Sequence, residues 1–113
     1  MDSGLASWDT NLFQESVFNI DLGEKDGICF RLEFYKNSPH IPWIHFTAES
    51  FDIRKARKVV EVIREMEIVL GEIGFGIIAT HTIDMAPIAR LTLKDWEEKE
   101  LDGRFVFMKR LEV

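Results

Sequence analysis

The chain has 113 residues, 46% hydrophobic and 30% charged, with a formal charge of −6, which is enough for one domain with a core that needs no disulfide or metal. The acidic balance excludes a general nucleic-acid binder, whose footprint is a basic patch, and no apolar run approaches the length that spans a bilayer. The single cysteine, Cys29, excludes an intrachain disulfide; with an N-terminus lacking the basic and apolar regions of a signal peptide, this predicts a soluble cytoplasmic protein.

Residues 1–13 mix Asp, Ser, Gly and Asn with isolated apolar positions that include Trp8 and Phe13. They are predicted to be an N-terminal tail, ahead of a domain over 14–113, whose aromatics dock on that domain or on a partner. Residues 16–22 and 28–35 read as strands joined by the hairpin-length loop GEKDG. In the second strand Phe30, Leu32 and Phe34 share one face, which leaves Arg31 and Glu33 on a solvated one. Cys29, in the same strand, is expected to be a small buried hydrophobe. A turn over 36–39 leads to a third strand over 41–47.

The centre of the chain is the strand HIPWIHFT, the helix FDIRKARKVVEVIREMEIVL and the strand FGIIATHT. Ala56, Val59, Val60, Ile63, Met66 and Leu70 recur at three- and four-residue spacing, the stripe of a crossover helix facing a sheet. Asp52 or Ser50 caps its start, and Gly71 and Gly74 stop it. A right-handed crossover makes the flanking strands parallel. Next comes a loop with Asp84 as a possible cap and Pro87 in the first turn of a second helix. Ile88, Leu91 and Trp96 form that helix's apolar stripe, and Asp95, Glu97, Glu98, Glu100 and Asp102 crowd its far end. Residues 104–111 form the last strand. The fold predicted is α+β, a single βββαβαβ domain whose mixed sheet joins an antiparallel meander to one parallel βαβ unit. Phe105, Val106, Phe107 and Met108 make the last strand apolar on both faces; a free edge there would pair with a second copy or another protein, and a covered one would leave a monomer.

Four cations, Arg54, Lys55, Arg57 and Lys58, crowd a helix start whose dipole is already positive, a mismatch of roughly 0.3–1 kcal/mol each. They read as a solvated face helped by Glu61, as a contact for an acidic partner, or as ligands for phosphates. His45 and His81 fall on neighbouring strands with Glu49 just beyond, which suggests a general base, a two-His metal pair or satisfied structural histidines. A metal needs a third ligand, and His40 is too loosely placed to supply it, so no metal site is predicted. Gly71, Gly74 and Gly76 spell G-x-x-G-x-G between helix and strand, the wrong order for a dinucleotide loop.

The element order, and above all IGFGIIATHTIDMAPIARLTLKDWEEKELDGRFVFMKRLEV, resembles the penultimate strand, last helix and last strand of the GNAT superfamily of N-acetyltransferases, over residues 16–113. The resemblance implies an acyl-CoA held at a Q/R-x-x-G-x-G/A turn opening the crossover helix, where small residues admit phosphates to backbone N–H groups. Here Arg57 and Val59 stand where the small residues belong. It also implies a tyrosine acid in the last helix, but Thr92 lies nearest that place and Tyr35 is the only tyrosine. The family's early strand and helices have no room in residues 1–13. His45 or Glu49 would carry over as base. The expectation is therefore a non-catalytic interaction or structural protein without cofactor, of the kind found among small tailed-bacteriophage accessory and virion proteins. It would bind a protein partner through Arg54, Lys55, Arg57 and Lys58, or through Trp8 and Phe13. The alternative is a minimal acyl-CoA-dependent N-acyltransferase, with acetyl-CoA phosphates on those cations.

Overall fold

A computed structural model describes residues 16–50, 52–83, 85–101 and 103–111. The elements run β1 (Ser16–Lys25), β2 (Ile28–Tyr35), β3 (Ser38–Ala48), α1 (Ile53–Ile73), β4 (Ile77–Thr82), α2 (Ala86–Thr92), β5 (Glu97–Leu101) and β6 (Arg104–Arg110). The strands form one mixed sheet in the order β1-β2-β3-β4-β6-β5. All neighbours are antiparallel except β3 and β4, the pair that α1 connects. The α+β class, the meander and the parallel βαβ unit agree with the sequence. The expected tail, including Trp8 and Phe13, lies outside the described residues.

The hairpin β1–β2 turns on Asp26 and Gly27, both at positive φ (54° and 80°). Two consecutive left-handed residues match the strands' twist, so Asp-Gly sets a tighter turn than the five-residue loop expected. Asp52 caps α1 by accepting the Lys55 N–H at 3.0 Å. At the other end Gly74, left-handed at φ 118°, closes the helix with its N–H on Leu70 and Gly71 carbonyls. A side chain would strain that position, whereas Gly71 lies buried within the last turn. Ala56, Val59, Ile63 and Leu70 are buried along the expected stripe, against Ile28, Phe30, Leu32, Ile44 and Phe107 of the sheet. No described helix is long and apolar enough to cross a membrane.

Several expectations are corrected. The second helix stops at Thr92, and the acidic run beyond it is not helical: Glu97–Leu101 is a sixth strand paired with β6, so the order is βββαβαββ. Leu91 is exposed, and the inward residues are Ala86 and Leu93, with Trp96 buried in the connection to β5. The helix begins at Ala86, and Met85 at its N-cap position supplies no side-chain cap; Asp84 lies outside the described residues. Of the two alternatives for β6, the strand is the interior one, between β4 and β5, and offers no free edge; Val106, Phe107 and Met108 are buried. Cys29 is exposed: it points away from the helix-facing Ile28 and Phe30, at the end of that face opposite the buried Glu33 and Tyr35. Glu33 is buried at 7%, so the far face of β2 is solvated at Cys29 and Arg31 but closed at Glu33 and Tyr35.

Ile63 and Ile68 give this packing a direct check, one buried beneath α1 and the other exposed on its outer side. Ile63→Ala is expected to cost about 2–5 kcal/mol in urea unfolding and Ile68→Ala no more than about 0.5 kcal/mol, with unchanged m-values. Equal losses would mean that α1 is rotated from this orientation.

Candidate functional site

The strands' alternation assembles a polar cluster on the sheet face opposite the helices. Phe30, Leu32 and Ile44 point toward α1, so Arg31, Glu33 and Tyr35 on β2 and Trp43 and His45 on β3 point away. Registers of Arg31 with His45, Glu33 with Trp43, and Trp43 with Ala79 carry this face across to β4, where His81 lies two residues beyond Ala79. The two histidines therefore meet, with ring centroids 5.6 Å apart. Trp43 stands edge-on to His81 at 5.6 Å, and Arg104 arrives from the start of β6.

These groups form a chain of hydrogen bonds with one consistent direction. A guanidinium only donates, so the 3.2 Å contact of Arg104 with His81 Nδ1 makes that nitrogen an acceptor. Neutral His81 then carries its proton on Nε2 and donates it to Tyr35 Oη at 3.0 Å. The Tyr35 hydroxyl donates onward to Glu33 Oε2 at 3.3 Å, while Arg31 Nε donates to Glu33 Oε1 at 3.0 Å. Burial, followed by the charge of Arg104 and the neighbouring His45, pushes His81 down to about 3. Burial and the Glu33 carboxylate raise the Tyr35 phenol. His45 Nδ1 lies 3.8 Å from Glu33 Oε1, close enough for an ion pair if it were charged. Desolvation nevertheless lowers His45 more than Glu33 raises it, so at neutral pH the contact joins a carboxylate to a neutral ring.

The cluster is internally satisfied: no buried side-chain polar atom among the described residues lacks a partner. No three His, Cys, Asp or Glu side chains among those residues are grouped to hold a metal. Glu49 is exposed beyond the end of β3. Sequence reasoning brought His45 and His81 together but missed Glu33, Tyr35 and Arg104 as their partners. The available signal was that Arg31, Glu33 and Tyr35 share one face of β2; what it lacked was the burial of that face.

On the helix side, a small apolar cavity of about 40 Å³ lies between α1, β4 and α2, lined by residues including Val59, Ile63, Thr80, Met85, Ala89 and Phe107. It adjoins the β3–β4 junction, where the ladder pairs Trp43 with Ala79 and the Thr80 hydroxyl donates to the Ile44 carbonyl at 2.9 Å. The Thr92 hydroxyl is turned back onto the Ile88 carbonyl at 2.9 Å, and Tyr35 is on the other face of the sheet.

Two of the four cations at the start of α1 are engaged by nearby groups. Lys55 folds back so that Nζ donates to the Ser50 carbonyl at 2.8 Å, and Lys58 reaches Glu61 at 3.5 Å and Asp26 at 3.7 Å. Arg54 and Arg57 remain exposed. The Asp52 carboxylate occupies the helix N-terminus itself.

No protein-family model matches the chain, and no curated protein is significantly similar to it.

The depressed His81 makes stability pH-dependent with a definite sign. The folded state resists protonation down to about 3 while the unfolded chain takes a proton near 6.5. Stability is therefore whole above 6.5 and lost as pH falls toward 3, by up to about 1.4 kcal/mol per pH unit. Urea unfolding at pH 7.5 and pH 5 should show wild type losing about 2 kcal/mol more than His81→Gln over that interval. Parallel losses would mean that His81 is not held neutral.

Proposed function

We propose that the chain is a non-catalytic interaction protein on a GNAT-like scaffold, binding another protein surface rather than turning over a substrate. The order of meander, crossover helix, parallel strand, short helix and final strand supports the scaffold reading, and small phage accessory or virion proteins are the setting which that resemblance implies. The observation that carries the functional reading is the surface of β1. All ten of its residues are exposed, Val17, Phe18, Ile20 and Leu22 among them, on an outer strand of the sheet. Unpaired strand edges with apolar side chains are surfaces on which another chain adds.

A minimal acyl-CoA-dependent N-acyltransferase is the second reading, favoured by the cavity beside α1 and the sparse β3–β4 ladder next to it. Three features weigh against it. The Asp52 carboxylate puts negative charge at the helix start, where the acyl-CoA pyrophosphate would have to sit. Thr92, nearest the expected acid, has its hydroxyl committed to backbone. His45 is not among the residues that line the cavity, which is bordered instead by Phe46 and by the His81 imidazole, held neutral by burial and already engaged by Tyr35 and Arg104.

Calorimetric titration with acetyl-CoA is expected to give no binding heat; micromolar binding would overturn the non-catalytic reading. Arg54 and Arg57 supply a second test, since they are the exposed half of the cation cluster. Arg54→Glu with Arg57→Glu should leave stability unchanged or slightly higher, because the mismatch with the helix dipole is relieved. A clear loss of stability would show that these side chains hold the fold together.

A further inference from the structure

The two edges of the sheet, among the described residues, are built differently. β5 is five residues long and carries Glu97, Glu98, Lys99 and Glu100, the charged short strand that discourages pairing. β1 is ten residues long, and Val17, Phe18, Ile20 and Leu22 are 58%, 56%, 39% and 38% exposed. Its ladder with β2 shifts register between Ser16 and Phe18 and again between Asp21 and Gly23, which leaves Phe18, Asn19, Ile20 and Asp21 as a regular stretch. One edge is thus guarded by charge, while the other keeps a regular apolar centre between two irregular ends.

We propose that β1 pairs antiparallel with β1 of a second copy, about a two-fold axis through Ile20, so that one continuous sheet runs through both copies. This rests on the reading of the chain as an interaction protein and names its partner. The strand is self-complementary in that register. Ile20 meets its own symmetry mate, and Phe18 lies across from Leu22 at the register shift that follows Asp21, so apolar meets apolar. Asn19 lies across from Asp21, an amide donor opposite a carboxylate, and no two like charges are opposed. Phe18 and Ile20 pair with Phe34 and Leu32 of β2, so they share the helix-side face, which a two-fold perpendicular to the sheet keeps common to both copies. Phe18 already lies 5.9 Å from Phe34 in a tilted contact, and Phe34 lies 6.0 Å from Phe75, so Leu22 of the second copy would cover the outer end of a row of aromatics begun within each copy. An isologous contact needs only this one patch. A contact of one strand edge is small beside a standard interface, so the association should be weak and concentration-dependent.

Light scattering on the full chain over a concentration series is expected to show a monomer at the dilute end moving toward a dimer. Ile20→Lys, which puts like charges together on the axis, should hold the protein monomeric with an unchanged circular dichroism spectrum and melting curve. A crosslink reads the register directly: Ile20→Cys in a Cys29→Ser background should form a disulfide dimer under mild oxidation, whereas Lys99→Cys on β5 in the same background should not. A strict monomer at every concentration that also fails to crosslink through position 20 would overturn the self-pairing. So would a dimer that Ile20→Lys leaves intact or that crosslinks equally through position 99. Either result leaves the non-catalytic reading to be judged by the acetyl-CoA titration, which does not depend on self-association.

Discussion

The sheet is two antiparallel halves joined at a single parallel junction, β3 beside β4, and the rest of the molecule is arranged to hold that junction. Neither half buries both of its faces alone: β1, β2 and β3 form a meander, and β4, β6 and β5 a second set of three strands. The crossover helix α1 lies over the junction, with Val59 and Ile63 packed in the same cluster as Ile44 and Ile78 from its two sides. The ladder at this point is the pairing of Trp43 with Ala79, so side chains take over where ladder hydrogen bonds are sparse. Thr80 donates to the Ile44 carbonyl on the helix side, and the Tyr35–His81 bond passes over β3 on the other. A parallel pair needs such a crossover because it cannot be closed by a tight turn.

The parts of this arrangement legible in the sequence are those with a strong period. The α1 stripe, the alternation of β2 and the parallel relation of the strands flanking α1 follow from spacing alone, and the adjacency of His45 and His81 follows from them. Glu97–Leu101 was not legible, because Glu, Lys and Leu favour helices and the segment continues an apparent helix. Its strand form comes from pairing with β6, a tertiary effect, and an edge strand exposed on its solvent side has no apolar alternation to announce it. Finding β5 is also what moves β6 inside the sheet and shifts the free edge to β1. The burial of Glu33 was hidden for a related reason. An Arg-Leu-Glu-Phe alternation looks half-solvated whether or not its polar face lies beside Trp43.

The start of α1 illustrates how local charge conflicts are settled. The first turn has no acidic residue, and four cations stand within its opening six positions. The dipole is met from outside the helix by Asp52, which also satisfies a backbone donor that would otherwise be left without a helical partner. Two of the cations are drawn off sideways, Lys55 to Ser50 and Lys58 to Asp26 in the β1–β2 turn, and the latter contact ties the helix start to the hairpin. Arg54, Arg57 and Lys58, at i, i+3 and i+4, share one side of the helix start, while Lys55 is turned back to Ser50.

The buried cluster on the far face specifies the fold more than it stabilises it. The bonds that link Arg104, His81, Tyr35 and Glu33 come together only in one register of β2, β3, β4 and β6. Slipping β2 by a single residue would carry Glu33 to the apolar helix side and leave His81 facing a hydrocarbon. The cost of an unsatisfied buried carboxylate or imidazole is larger than the net gain from the bonds present, so the network acts chiefly by penalising misaligned sheets. That discrimination falls at the junction where the backbone ladder is thinnest, which is where the two halves of the sheet have the fewest other means of finding their alignment.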